Sequence, residues 1–364
     1  MTTVLAGQLC PPGEPEPGWV AIEDGMIVDV VRGRAPSDAL HLGDALLTPG
    51  FVDLQVNGLG HVDFAHLDAE AWGDTGRAFV AHGTTACCPT LVSAPLDAYD
   101  DRLRRIEDHA GNAQLAISLG AHLEGPFLGG APGAHDARLL RQADAAWLDR
   151  IVDSHAVRIA TLAPEADPGL TATTALAGRG VVVALGHSTA SYDEARAAAD
   201  AGASVVTHLF NGMGPLHHRD PGLAGACLDD ERLTPTLIAD LVHVHPAALR
   251  LAIHRKRKVA LVTDAVATGV GDAPLLARDG AAWLPDGTLA GSLLTMDQAV
   301  RNVVGLGIPI GRAVEMASTI PAEIVGDETR GRLEAGRRAD IVALDANTLT
   351  ARAVWLAGRA VFGA

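Results

Sequence analysis

The chain has 364 residues, of which 48% are hydrophobic, so it can bury a large core and is long enough for a large domain plus a small one. A formal net charge of -16 argues against a general surface for nucleic acid or for anionic membranes. The four cysteines, two of them adjacent, do not resemble the disulfide framework of a small secreted domain, so we expect reduced core residues.

The amino terminus contains neither a basic segment nor a sustained apolar run. We therefore expect no signal peptide and no membrane anchor, and we predict a cytoplasmic protein.

Short strand patterns separated by turn residues occur near both ends of the chain. They cover residues 19–22, 26–31, 339–344 and 353–361, the last as a hairpin around Gly358. Such short segments do not form stable sheets separately. We therefore predict a small β-sandwich domain that both termini build together, from residues 1–47 and 332–364.

Between residues 48 and 331, apolar runs alternate with stretches of helical periodicity such as 191–201 and 296–306. This alternation is typical of βα units and a parallel sheet. Eight strands are predicted to begin near Phe51, Thr84, Leu115, Val157, Val181, Ser204, Thr236 and Val259. We predict an α/β fold with a (β/α)8 TIM-like barrel inserted between the terminal strands; a doubly wound open sheet is the alternative.

Three of these apolar runs end in a side chain that can bind a metal: Glu124, His187 and His208. In a barrel the carboxyl ends of the strands meet on one face, so these residues are expected to converge. One carboxylate and two imidazoles suit a catalytic divalent metal with open positions. The alternative is a capping or surface carboxylate and two hydrogen-bonded core histidines. We predict a metal-dependent hydrolase.

The eighth strand pattern ends in Asp264. Taken alone, this residue is more typical of a helix cap. Beside a metal, a carboxylate at that position can accept a proton from water and later deliver it to a leaving amine. We therefore predict that Asp264 is catalytic.

The first strand carries Gln55 and Asn57, where a common hydrolase pattern has two histidines that bind a second metal. Neutral amides are weak ligands for a transition metal, so we expect one strongly held divalent ion per subunit. Zn is the expected metal, although the same donors accept Fe, Co or Mn. A weak second ion near these amides is the open alternative.

The glycine-rich loop that follows His208 can present backbone N–H groups to phosphate oxygens, and Arg219 can add charge-assisted bonds. The alternative is an ordinary loop with a surface arginine. His135 and His243 also follow predicted strands. Either can polarise a carbonyl or contact substrate, and either can be purely structural.

Several of these motifs together resemble the N-acetylglucosamine-6-phosphate deacetylases of the amidohydrolase superfamily. The likeness covers nearly the whole chain and includes residues 49–58, 122–127, 186–188, 207–211, 221–225, 262–265 and 291–296. Its most specific parts are His-Leu-Glu-Gly-Pro-Phe at 122–127 and the loop after His208 that contains Asn211.

The resemblance implies a role for each candidate residue. Glu124, His187 and His208 bind the metal, Asp264 is the general base and acid, and His135 helps to polarise the acetamide carbonyl. The implied substrate-binding residues are Gln55, Asn211, Gly212, Arg219 and His243. In the family the arginine comes from a neighbouring subunit, which implies a homodimer with Arg219 contributed across the interface.

The implied reaction converts N-acetylglucosamine 6-phosphate to glucosamine 6-phosphate and acetate, with no nucleic-acid or membrane partner. Alternatives are a deacetylase of N-acetylgalactosamine 6-phosphate, another amidohydrolase, or a catalytically silent sugar-phosphate sensor. The chain departs from the family pattern in two places. The loop at residues 128–132 is shorter and lacks basic residues, and Gly212 replaces the more usual Ala.

Overall fold

The computed structural model describes residues 2–10, 13–66, 69–109, 117–152, 157–268 and 275–363. Its centre is a parallel sheet, and the predicted (β/α)8 barrel is confirmed. The eight barrel strands, in chain order, are Phe51–Val56, Thr84–Val92, Ala121–Glu124, Val157–Leu162, Val182–Leu185, Ala203–Val206, Thr234–Ile238 and Ala260–Val262. A short strand, Ile117–Ser118, precedes the third and pairs with the second. The predicted start at Leu115 lies outside the described residues.

An α-helix follows each barrel strand before the next begins. These helices are Ala69–Ala81, Tyr99–His109, Ala145–Val152, Thr171–Gly178, Tyr192–Asp200, Gly222–Asp229, Pro246–Arg255 and Met296–Gly305. Two more, Ile310–Ala317 and Thr319–Ile324, pack against the first and eighth strands. Short 3-10 turns occupy Phe64–His66, Leu96–Ala98, Pro164–Ala166 and Pro168–Leu170. The helical patterns predicted at 191–201 and 296–306 are therefore confirmed.

Hydrogen bonds between the first and eighth strands close the barrel. The backbone N–H of Asp264 donates to the carbonyl of Gln55 at 2.8 Å, and that of Asn57 donates to the carbonyl of Ala265 at 2.8 Å. Closure brings the carboxyl ends of the strands to one rim. Side chains that are far apart in the sequence can therefore meet there.

Strands from both termini form one continuous seven-stranded sheet. In sheet order they are Arg359–Phe362, Ala351–Leu356, Ile341–Leu344, Leu40–Pro49, Thr3–Leu9, Glu16–Glu23 and Met26–Arg32. One face, which includes Leu5, Val20 and Trp355, packs into a small core of its own, while Leu46 and Val342 belong to the barrel core. The small β domain is confirmed, and its limits at 47/48 and 331/332 stay a prediction. The four cysteines are free and buried.

A three-stranded antiparallel sheet follows the eighth barrel strand and was not predicted. Its strands are Leu276–Arg278, Ala281–Trp283 and Leu289–Ser292, and we call it the rim sheet. A smaller hairpin, Gly58–Leu59 with Val62–Asp63, follows the first strand. None of the helices in the described residues has the length and apolar character needed to cross a membrane.

Candidate active site

Three site residues lie two positions beyond the end of a barrel strand, at points where the backbone turns left-handed. The φ angles are 49° at His187, 29° at His208 and 47° at Asp264. Residues other than glycine rarely adopt this conformation, and the surrounding structure must hold them there. Here the turns bring three chemically active side chains to the barrel rim.

Glu124, His187 and His208 form a compact, buried cluster. Nε2 of each ring lies 3.0 Å from Oε1 of Glu124, and the two Nε2 atoms lie 3.1 Å apart. Ligands about 2.0–2.1 Å from a tetrahedral metal lie about 3.3 Å from one another. One carboxylate oxygen and two imidazole nitrogens at this spacing therefore fit a divalent transition metal.

Further hydrogen bonds orient the side chains of the cluster. Nδ1 of His187 donates to the carbonyl of Ala131 at 3.2 Å, which leaves Nε2 free to bind a metal. Burial opposes ionisation of Glu124, but its contacts with His187 and His208, together with the electrostatic effect of His187 and His135, outweigh burial and hold its pKa well below the usual value. Glu124 is thus an anionic carboxylate that could bind a metal.

Asp264 lies beside the cluster and is held by two amides. Nδ2 of Asn57 donates to its Oδ1 at 2.8 Å, and Nε2 of Gln55 donates to the same oxygen at 3.3 Å and to Oε1 of Glu124 at 2.9 Å. Since a carboxylate only accepts, these contacts fix which way each amide points. Burial and the charge of Glu124 raise the pKa of Asp264 above the usual range.

His135 packs against His187, with 4.4 Å between the ring centroids and near-perpendicular rings. The backbone N–H of Ser93 donates to Nδ1 of His135 at 3.4 Å, so the ring proton lies on Nε2. That nitrogen lies 4.0 Å from Oε2 of Glu124. Burial and the neighbouring His187 lower the pKa of His135 to about 3. The ring is therefore a neutral donor.

A cavity of about 610 Å³ opens above these residues. Its polar wall includes Asn57, Asn211 and His243. Leu289 of the rim sheet and Leu284, directly after the second strand of that sheet, contribute an apolar wall. Such a mixed surface, with polar groups converging on one end, is typical of a small-molecule site. The cavity thus connects the metal-binding cluster to solvent.

The structure brings most of the predicted residues together. The candidates that line the cavity are Glu124, His135, His187, His208, Asn211, Gly212, His243 and Asp264. Gln55 is buried behind them, where its amide bonds to Glu124 and Asp264. Arg219 is exposed and bonds to the ring of His218, outside the described residues that line the cavity. Its contact with substrate stays a prediction, as does that of Gln55.

Two supporting residues were missed at the sequence level. Ser93 bonds to Nδ1 of His135, and Asp240 accepts from Nδ1 of His243 at 2.6 Å, which turns Nε2 of His243 toward the cavity. Asp240 lies three residues before His243 at the end of the seventh strand, and that spacing was a usable signal.

The rim sheet also carried signals in the sequence. Asp279-Gly280 has positive φ at both residues, the pattern of a tight hairpin turn, and Pro285-Asp286-Gly287 forms the next turn. These turns predict the two hairpins, although not their position over the rim.

Comparison with known proteins identifies clear relatives. The model of the amidohydrolase family matches residues 46–361. N-acetylglucosamine-6-phosphate deacetylase of Bos taurus is 38% identical, with 90% of this chain and 86% of that protein covered. N-acetylgalactosamine-6-phosphate deacetylase of Escherichia coli is 37% identical, with 94% and 96% covered.

One similar solved structure is a mutant N-acetyl-D-glucosamine-6-phosphate deacetylase from Mycobacterium smegmatis in complex with N-acetyl-D-glucosamine-6-phosphate. It aligns with a TM-score of 0.91 at 36% identity over 99% of both chains. At this identity the likeness extends beyond the fold alone.

Proposed function

The chain belongs to the amidohydrolase family, and from that premise we propose that it hydrolyses N-acetylglucosamine 6-phosphate to glucosamine 6-phosphate and acetate. The observation that carries this proposal is the convergence of Glu124, His187, His208 and Asp264 in one cavity. Relatives that bear this name cover most of the chain, which supports the same substrate class. A silent sugar-phosphate sensor would not need this complete set of reactive groups.

Glu124, His187 and His208 are the residues that would hold one divalent ion per subunit. When bound, such an ion supplies Lewis-acid activation of water and of the amide carbonyl. We take Zn as the expected metal; Fe, Co and Mn suit the same donors.

The protein's own groups supply the proton transfers. Asp264 accepts a proton from the attacking water as oxygen bonds to the acetyl carbon, and Nε2–H of His135 donates to the developing oxyanion. The carbon–nitrogen bond then breaks, and Asp264 returns the proton to the sugar nitrogen. Water and amide are thereby converted to acetate and amine. Asn57 and Gln55 keep the Asp264 carboxylate oriented throughout.

We assign the sugar phosphate to the part of the cavity near Asn211, Gly212 and His243. Gly212 keeps a backbone N–H where the family more often has Ala, so an anion contact there is preserved. Because Arg219 lies outside this chain's cavity wall, the proposal includes a homodimer in which Arg219 reaches the partner's phosphate site. We further propose a cytoplasmic location.

A second candidate substrate is N-acetylgalactosamine 6-phosphate, because one relative of nearly equal identity carries that name. The two sugars differ only at C4, so a direct comparison separates them. Acetate release should be measured on both 6-phosphates and on unphosphorylated N-acetylglucosamine, with metal content determined on the same sample.

We expect bound divalent metal and the highest kcat/KM for N-acetylglucosamine 6-phosphate. A preference for the C4 epimer would transfer the assignment to the second candidate. Metal-loaded protein that releases no acetate from either phosphate would refute the deacetylase proposal.

A further inference from the structure

We propose that Glu165 is a positioning residue for the metal ligand His187. Glu165 lies in the 3-10 turn Pro164–Ala166, just after the fourth barrel strand, and its side chain is exposed. It is outside the cluster and the described cavity wall, so its effect is indirect. The inference rests on the proposed function, because it assumes that His187 binds a metal.

The Glu165 carboxylate joins two segments that follow different strands. Oε1 accepts from the backbone N–H of Thr189 at 2.7 Å and from that of Gly130 at 3.1 Å. Oε2 accepts from Oγ of Ser188 at 2.6 Å. Ser188 and Thr189 directly follow His187, and Gly130 belongs to the loop after the third strand. One exposed carboxylate therefore fastens this loop to the chain that leaves the ligand.

The fastened loop holds His187 at two points. The backbone N–H of Gly129 donates to the carbonyl of His187 at 2.8 Å, and the carbonyl of Ala131 accepts from its ring Nδ1 at 3.2 Å. A carbonyl at Nδ1 selects the tautomer whose Nε2 can bind a metal. Glu165 therefore positions both the backbone and the ring of His187 through the intervening peptide groups.

Two glycines allow the loop to approach this closely. A Cβ at Gly129 would lie 2.0 Å from Oε1 of Glu165, and a Cβ at Gly130 would lie 2.4 Å from Oγ1 of Thr189. A side chain at Gly129 would displace the Glu165 carboxylate, and one at Gly130 would collide with Thr189. The absence of side chains at Gly129 and Gly130 thus allows the loop to lie against Glu165 and Thr189.

Metal affinity separates positioning from ordinary structural support. Wild type, Glu165→Ala, Glu165→Gln and Glu194→Ala should be prepared metal-free, and their affinity for Co²⁺ or Zn²⁺ measured by chelator competition. Glu194 is a matched control, because its carboxylate also accepts from a backbone N–H and a hydroxyl, both of Ser191, in a helix cap. The visible spectrum of each Co²⁺-loaded protein reports the geometry of the bound ion.

Glu165→Ala is expected to weaken metal binding on the order of 10-fold and to alter the Co²⁺ spectrum, since removing outer contacts of a ligand typically has effects of this size. Glu165→Gln retains one acceptor oxygen and is expected to fall between wild type and Glu165→Ala. Glu194→Ala is expected to keep wild-type affinity and spectrum.

The inference is overturned if Glu165→Ala binds metal within twofold of wild type with an unchanged spectrum. It is also overturned if Glu194→Ala weakens binding equally, because the effect would then be general destabilisation. Failure of the proposed function is distinguishable, since wild type itself would bind no divalent metal or release no acetate.

Discussion

The left-handed backbone at His187, His208 and Asp264 lowers the stability of the folded state. Each such residue costs of order 1–3 kcal/mol, which the surrounding structure must offset. At Asp264 the offset comes from backbone bonds to Gln55 and Ser292 and from the side-chain bond with Asn57. These contacts hold the Asp264 carboxylate in the orientation that the proposed proton transfer requires.

Replacing Asp264 tests its assignment as the proton carrier. Asp264→Asn preserves volume and most hydrogen bonds but removes the proton acceptor, so we expect kcat to fall by about 10²–10⁴ with metal content unchanged. Steady-state kinetics with metal analysis measures both quantities. Asp44→Asn, at an exposed carboxylate in the small sheet, should behave as wild type. A kcat near that of wild type for Asp264→Asn would show that Asp264 is not the proton acceptor.

At the level of single residues, the sequence indicated the candidate reactive side chains better than the residues that hold them in place. Glu124, His187, His208 and Asp264 were recognisable because each ends a strand-like run, and barrel topology then brings them together. The contacts of Ser93 and the position of Gln55 behind the ligands depend on the closed barrel, which no local pattern encodes. Arg219 lies on an exposed loop, where it bonds only to the neighbouring His217 and His218 among the contacts of the described residues, so neither sequence nor fold directs it to the site.

Among the elements, the barrel strands were predicted well because both faces of each strand are buried and give continuous apolar runs. The run predicted as the third strand is divided at residues 119–120 into two separate strands, a break that hydrophobicity alone does not reveal. The rim sheet was missed, since its first strand is exposed and carries no apolar alternation. Its turn residues were the better signal.

The helix Tyr192–Asp200 depends on a reciprocal cap. Oγ of Ser191 accepts from the backbone N–H of Glu194, and the Glu194 carboxylate accepts from the backbone N–H of Ser191. Ser191→Ala removes one half of this capping box, so we expect the free energy of unfolding to fall by about 1 kcal/mol.

Urea denaturation at neutral pH, with metal-free protein, measures this change. Ser191→Thr should retain most of the stability because its hydroxyl can still accept. An unchanged midpoint for Ser191→Ala would mean that the cap contributes nothing to the stability of the fold.

At the scale of the whole molecule, the predicted metal joins the third, fifth and sixth barrel strands. An ion that binds only the folded state stabilises it by about 2.7 kcal/mol at a concentration 100 times its Kd. We therefore expect Tm to rise when Zn²⁺ is added to chelator-treated protein, as measured by differential scanning fluorimetry. Glu124→Gln should lose most of this rise, and an equal rise in that variant would place the ion elsewhere.

The proposed dimer makes a separate prediction. Arg219→Ala and Asp264→Asn should each be nearly inactive at low substrate, yet a mixed dimer contains one site with both an intact Asp264 and the partner's intact Arg219. Co-expression in equal amounts should restore about a quarter of wild-type activity, because half of the dimers are mixed and each has one complete site.

Purification through two different affinity tags isolates the mixed species for assay. No recovery in an isolated mixed dimer would show that Arg219 does not serve the partner's site.

The pairing of strand Leu40–Pro49 with strand Ile341–Leu344 also bears on how the protein is made. A ribosome must synthesise the whole barrel before the second of these strands emerges. Until then the apolar side chains that Val342 and Leu344 will cover remain exposed to solvent. Pairing two strands that are so far apart in the sequence is also slow. Nascent chains that end before residue 341 should therefore be the species that chaperones bind and proteases remove.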